Sequence, residues 1–142
     1  MGSRRKGREL ALQALYQAEI TGDASDMVLR RLWQSFEATP AAQELALTLV
    51  RGVLERKEEI DQLIAKAAEH WRLERLSRID VNVIRIAVFE MTAKPALPVE
   101  IAIDEAIEVA RRFGTVESAN FVNGVLDQVA AGLGLKRKAN AE

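Results

Sequence analysis

Apolar positions return every three or four residues through most of the chain, the period of a helix and not of a strand. Ala11, Ala14, Leu15 and Ala18 form one such row, flanked by Leu10, Leu12, Tyr16 and Ile20. They predict a first helix from Arg4 to Thr21, ended by Gly22. Val28, Leu29, Leu32, Trp33 and Phe36 make the buried face of a second helix that Ser25 can cap. Thr39-Pro40 has the cap-then-proline pattern of a helix start. Leu45, Leu49, Val53, Ile60, Ile64 and Ala67 then hold the period, which predicts one long helix to Glu69, bent near Gly52. Trp71 to Leu76 reads as a connection.

Ser77 and Asp80, three apart, predict a variant of the capping box ahead of the most apolar helix. Val83, Ile86, Ala87 and Met91 are widened by Val81, Ile84, Val88 and Phe89, so this helix is expected at the centre. Arg85 and Glu90 are its polar exceptions, and Lys94-Pro95 stops it. From Leu97 to Val129 two more helices are joined by a tight turn. Pro98 suits a first turn, and Ala102, Ile103, Ala106, Ile107, Ala110 and Phe113 line one face. Gly114 is expected as a left-handed stop. Thr115 or Ser118 can cap the last helix, whose stripe is Phe121, Val122, Val125, Leu126 and Val129. Gly124 costs about 1 kcal/mol against Ala in mid-helix, which points to close approach of another helix or a ligand.

The expected fold is therefore all-α. The 142 residues fit one domain, residues 1–142, with helical subdomains near 4–70 and 71–133 and a charged tail at 134–142. The absence of cysteine excludes disulfides and thiol chemistry. No apolar run is long enough to span a membrane, and no apolar signal core follows the basic start, so the expected location is the cytoplasm.

Charge changes the picture more than composition does. The net charge of −1 conceals a basic head, Arg4, Arg5, Lys6 and Arg8, on an acidic body. Cations at a helix N-terminus oppose its dipole. Either the head is a solvated, frayed tail or it is an arm that contacts phosphates. Asn120, Asn123 and Asp127 fall on one polar face of the last helix, either an ordinary wet face or donors and acceptors for base edges. Trp33 and Phe121 read as core.

Catalytic chemistry finds little support. Glu100, Asp104, Glu105 and Glu108 gather on one helix but lack the Glu-x-x-His partners of a bundle metal site. A solvated acidic face with a Glu108–Arg112 pair explains them better. His70, the single histidine, has no convergent ligand set. No enzyme, cofactor or metal is expected.

Three stretches carry a resemblance: RRKGRELALQALYQ at 4–17, DVNVIRIAVFEM at 80–91 and PVEIAIDEAIEVARRFGTVESANFVNGVLD at 98–127. Together, and in this order, they resemble the NusB family of bacterial transcription antitermination factors. The resemblance implies a NusB-like fold of two small helical bundles packed as one globule. It implies binding of boxA RNA together with NusE, a small-subunit ribosomal protein, to support processive elongation, especially of ribosomal RNA operons. Other Nus factors and RNA polymerase would be engaged indirectly. Carried over by position, Arg4, Arg5, Lys6 and Arg8 would contact RNA phosphates, and Glu117, Asn120, Phe121 and Asn123 would line the RNA site. Asp80, Arg85 and Glu90 would border the NusE contact. Four phosphate contacts would give a log–log salt slope near −3, at about −0.7 each. The alternatives are a non-catalytic helical protein-interaction module, as a monomer or a homodimer, and the NusB-like domain of an RNA methyltransferase. The site further requires the first and last helices side by side.

Overall fold

In a computed structural model the described residues are 2–68 and 76–135. They form seven helices: α1 Ser3–Thr21, α2 Ser25–Ser35, α3 Pro40–Glu55, α4 Lys57–Ala67, α5 Arg78–Thr92, α6 Val99–Phe113 and α7 Ser118–Gly132. The expectations for His70, the connection at 71–75 and the charged tail from 136 onward lie outside the described residues. Among the described residues no helix is long and apolar enough to cross a membrane.

Most boundaries follow local chemistry. Gly22 closes α1 with φ 80°, its N–H donating to the Ala18 carbonyl. Thr39 Oγ1 accepts the Ala42 N–H at 3.2 Å, with Pro40 in the first turn of α3. Ser77 Oγ accepts the Asp80 N–H at 3.1 Å. The reciprocal half of that capping box does not form: Asp80 Oδ1 has no hydrogen-bond partner among the described residues. Ser25 begins α2 without making a side-chain cap bond.

The long third helix is in fact two. Arg56, at φ −109° and ψ 17°, breaks the path between α3 and α4. The two halves serve different walls: α3 packs on α1, α2 and α5, whereas α4 packs on α5 and α7. A straight rod would carry Ile60 and Ile64 away from the core in which both are fully buried. Gly52 is not the bend. A Cβ there would overlap the ring of Phe89, so the glycine lets α3 and α5 approach.

The central helix is α5, as its all-round apolar pattern predicts, packed against α1, α3, α4, α6 and α7. One continuous core runs through all seven helices, with Leu10, Leu12, Leu29, Leu49, Ile84, Ile103 and Leu126 among its fully buried members.

Candidate nucleic-acid interface

The four basic residues at the start of α1 divide by helix face. Arg5 and Arg8, one turn apart, point inward across α5 and α6. Arg5 donates two hydrogen bonds to the Glu105 carboxylate, at 3.0 and 2.9 Å. Arg8 grips Glu90 with two more, both 2.9 Å, and lies 3.6 Å from Glu105. Arg8 is only 5% exposed and Glu90 8%. Hydrogen bonds from Arg5 and the charges of Arg5 and Arg8 outweigh burial and hold the Glu105 carboxyl below its usual range. The same partnership raises the Arg5 guanidinium. Arg4 faces solvent. Lys6 sets its ammonium 5.0 Å from the centroid of the Phe36 ring. Of the four cations expected to meet phosphates, Arg8 and, in part, Arg5 are engaged inside the fold.

A second polar cluster pins the other end of α1 to α5. Arg85 donates to Asp61 at 2.8 and 3.0 Å and to Asn82 Oδ1 at 3.2 Å. Asn82 donates to Glu19 and to the Arg78 carbonyl, and Arg78 donates to Glu19 at 2.9 Å. Burial pushes the Glu19 carboxyl up, but Asn82, Arg78 and Arg85 together bring it below its usual range. Arg85 and Glu90, expected at a partner surface, are therefore buried clamps. Polar residues on an otherwise apolar helix read alike whether they serve a partner or an internal ion pair. Asp80 differs, since its Oδ1 is buried yet unpartnered among the described residues.

The turn between α6 and α7 is shaped by contact and not by handedness. Gly114 is extended, at φ −97° and ψ −161°, against the expectation of a left-handed residue. A Cβ there would strike Ser118 and the Ala110 carbonyl oxygen. Ser118, 1% exposed, accepts the Thr115 N–H on Oγ at 2.9 Å. Thr115 Oγ1 in turn accepts the Glu117 N–H at 3.3 Å. Beyond this turn Glu117 and Asn120 are exposed, and Phe121 and Asn123 are half-buried. Phe121 packs against the core, as expected. A Cβ at Gly124 would meet nothing, so no other helix crowds that point.

The first and last helices are not packed closely side by side; α5 and α6 each pack against both α1 and α7. Arg112, near the end of α6, bridges the two halves. Its Nε lies 3.6 Å from Glu9 of α1, and its guanidinium lies 5.6 Å from the Phe113 ring. The spacing argument paired it with Glu108, but Glu108 takes Arg111 instead, at 2.8 Å. Sequence reasoning also missed Phe36, expected in the buried face of α2. It falls just past the helix end and is 47% exposed. Gly2, Ser3, Lys6, Glu9, Phe36, Thr39 and Arg112 border a cleft of about 340 Å³ there. Among the described residues no group of three or more His, Asp or Glu side chains is arranged to hold a metal ion.

Comparison with known proteins bears on this arrangement. The model of the NusB family matches residues 5–131. The chain belongs to the NusB family. The transcription antitermination protein NusB of Myxococcus xanthus is 46% identical over 137 residues, covering 94% of this chain and 98% of the relative. The structure of T. maritima NusB superposes with a TM-score of 0.82 at 39% identity, covering 90% of each chain. A crystal structure of antitermination factors NusB and NusE in complex with dsRNA superposes at 0.83, covering 93% of this chain and 98% of that one. At 23% identity that last likeness shows the fold alone. The all-α NusB-like fold expected from the resemblance is the fold observed.

Proposed function

We propose that this NusB family member is a transcription antitermination factor that binds boxA RNA together with NusE and supports processive elongation, especially of ribosomal RNA operons. One observation carries the reading: identity of 46% to a NusB antitermination protein across nearly the whole of both chains. The RNA lies where α1 begins, α6 ends and α7 begins. Arg4, Lys6 and Arg112 meet phosphates there, and Glu117, Asn120, Phe121 and Asn123 present the edge that meets bases. Arg5 and Arg8 act as positioning residues that fix the slope of α1 against α5 and α6. NusE docks beside α5, at the end whose first turn holds Asp80. Arg85 and Glu90 shape that wall from inside.

The protein is an adaptor without catalysis, working in the cytoplasm and reaching RNA polymerase through other Nus factors. A mobility-shift titration with boxA RNA and a scrambled RNA, with and without NusE, tests this. Preference for boxA that strengthens with NusE is expected. No binding under either condition overturns the reading in favour of a protein-interaction module.

A further inference from the structure

We propose that the cleft between the start of α1, the α2–α3 connection and the end of α6 is a subsite for one nucleotide of the bound RNA. Its base stacks on Phe36, and its phosphate is held by Lys6 and Arg112. The proposal rests on the RNA-binding reading above and extends the footprint to a face that the Asn120 edge does not include.

Phe36 is the reason to look there. Phe89, Phe113 and Phe121 pack against the core; Phe36 does not and stays 47% exposed. Its neighbour Glu37 takes φ 49°, turning the chain sharply out of α2. At 47% exposure the ring still offers surface to solvent beside Lys6, and a ring face is what any base can stack on. The cleft beside it, about 340 Å³, lies within the usual range of small-ligand sites, roughly 300–1,000 Å³.

Two cations flank the ring. Lys6 holds its ammonium over Phe36, the position a base would take, on a long flexible stem. A base that displaces it frees Lys6 for the adjoining phosphate. Arg112 has a 60% exposed side chain; its Nε lies 3.6 Å from Glu9 and its guanidinium 5.6 Å from the Phe113 ring, which leaves its terminal N–H donors for phosphate. Glu9 is nearly buried behind it, and Glu37 stands on the exposed lip. Their charges exclude phosphate from those sides and leave the Lys6–Arg112 side as the place for it. On the border of the cleft Ser3 and Thr39 share an exposed hydroxyl hydrogen bond at 3.1 Å, which ties α1 to the connection.

Stacking is tolerant of base identity. This subsite therefore adds affinity without choosing sequence, unlike the α7 edge. The full chain and its Phe36→Ala, Phe36→Leu and Phe36→Trp variants are titrated, with NusE present, against labelled boxA RNA and a scrambled RNA. Phe36→Ala and Phe36→Leu are expected to weaken both RNAs alike, by about 5- to 150-fold. Phe36→Trp is expected to restore affinity and to add emission, over that of Trp33 and Trp71, that RNA quenches. Unchanged affinity in Phe36→Leu, or added emission in Phe36→Trp that bound RNA leaves unaltered, overturns the subsite and leaves the RNA reading standing. Failure of the unaltered chain to bind either RNA overturns both.

Discussion

Replacing Arg8 separates a structural arginine from an RNA-binding one. Arg8 is 5% exposed and makes two 2.9 Å hydrogen bonds to Glu90, itself 8% exposed. Truncation to alanine strands the Glu90 carboxylate among Val83, Ile86, Ala87 and Ala102, which line the same small crevice. Breaking one side of a buried pair costs about 3–5 kcal/mol. A domain has about 5–15 kcal/mol in all, so Arg8→Ala removes a large share of it. At roughly 3 °C per kcal/mol for a chain of this length, the melting midpoint should fall by about 9–15 °C. Exchanging both partners, Arg8→Met with Glu90→Leu, leaves no charge unpaired and should restore stability to within about 1 kcal/mol or exceed it. Urea melts followed by circular dichroism give the stabilities, and fluorescence anisotropy with boxA RNA gives the affinity. The double variant should bind RNA within about twofold of the unaltered protein, a difference well under 1 kcal/mol. The reasoning fails if Arg8→Ala melts within about 2 °C of the unaltered protein while its RNA affinity drops tenfold. That pattern would make Arg8 a phosphate contact after all.

Other outcomes follow from the same geometry. With Arg5 and Arg8 engaged internally, the phosphate contacts reduce to Arg4, Lys6 and Arg112, and the log–log salt slope should be about −2 and not −3; a slope steeper than −3 refutes this assignment. Asn120→Ala should weaken boxA RNA more than a scrambled RNA, and equal loss rejects base readout by α7. Gly52→Ala forces a methyl into the Phe89 ring and should cost about 1–3 kcal/mol in a urea melt; Phe89→Leu should recover part of that loss. The Glu105 and Glu19 carboxyls are both held below their usual range in the fold. Their stabilising effect is therefore present above the unfolded carboxylate value of about 4.3 and is lost as pH falls through the lower folded values. Melting midpoints measured down from about pH 5 should drop, and Glu105→Gln should flatten that drop.

Helix content and the centrality of α5 were legible in the chain because amphipathic period is a local property. Val83, Ile86 and Ala87, with their apolar neighbours on other faces, mark a helix that must be covered all round wherever the rest lies. Caps at Thr39 and Ser77 were legible for the same reason, since their bonds span three residues. The break at Arg56 was not. Its helical pattern continues unbroken, and only the divergence of the walls that α3 and α4 cover demands a corner.

The family, and with it the expectation of RNA, came from the order of motifs along the chain. What each charged residue does was settled by partners far away in sequence. Arg4, Arg5, Lys6 and Arg8 are alike in type and neighbourhood, yet Glu105 and Glu90, 100 and 82 residues away, take two of them. Glu9, on the first helix and far from Arg112 in the chain, draws that arginine to the α1 side. Phe36 sits one residue past the end of α2, so a period that counts it as buried misses it. Periodicity depends on the nearest turn of helix, whereas charge pairing and ring exposure depend on which helices meet. Only the packed molecule decides that.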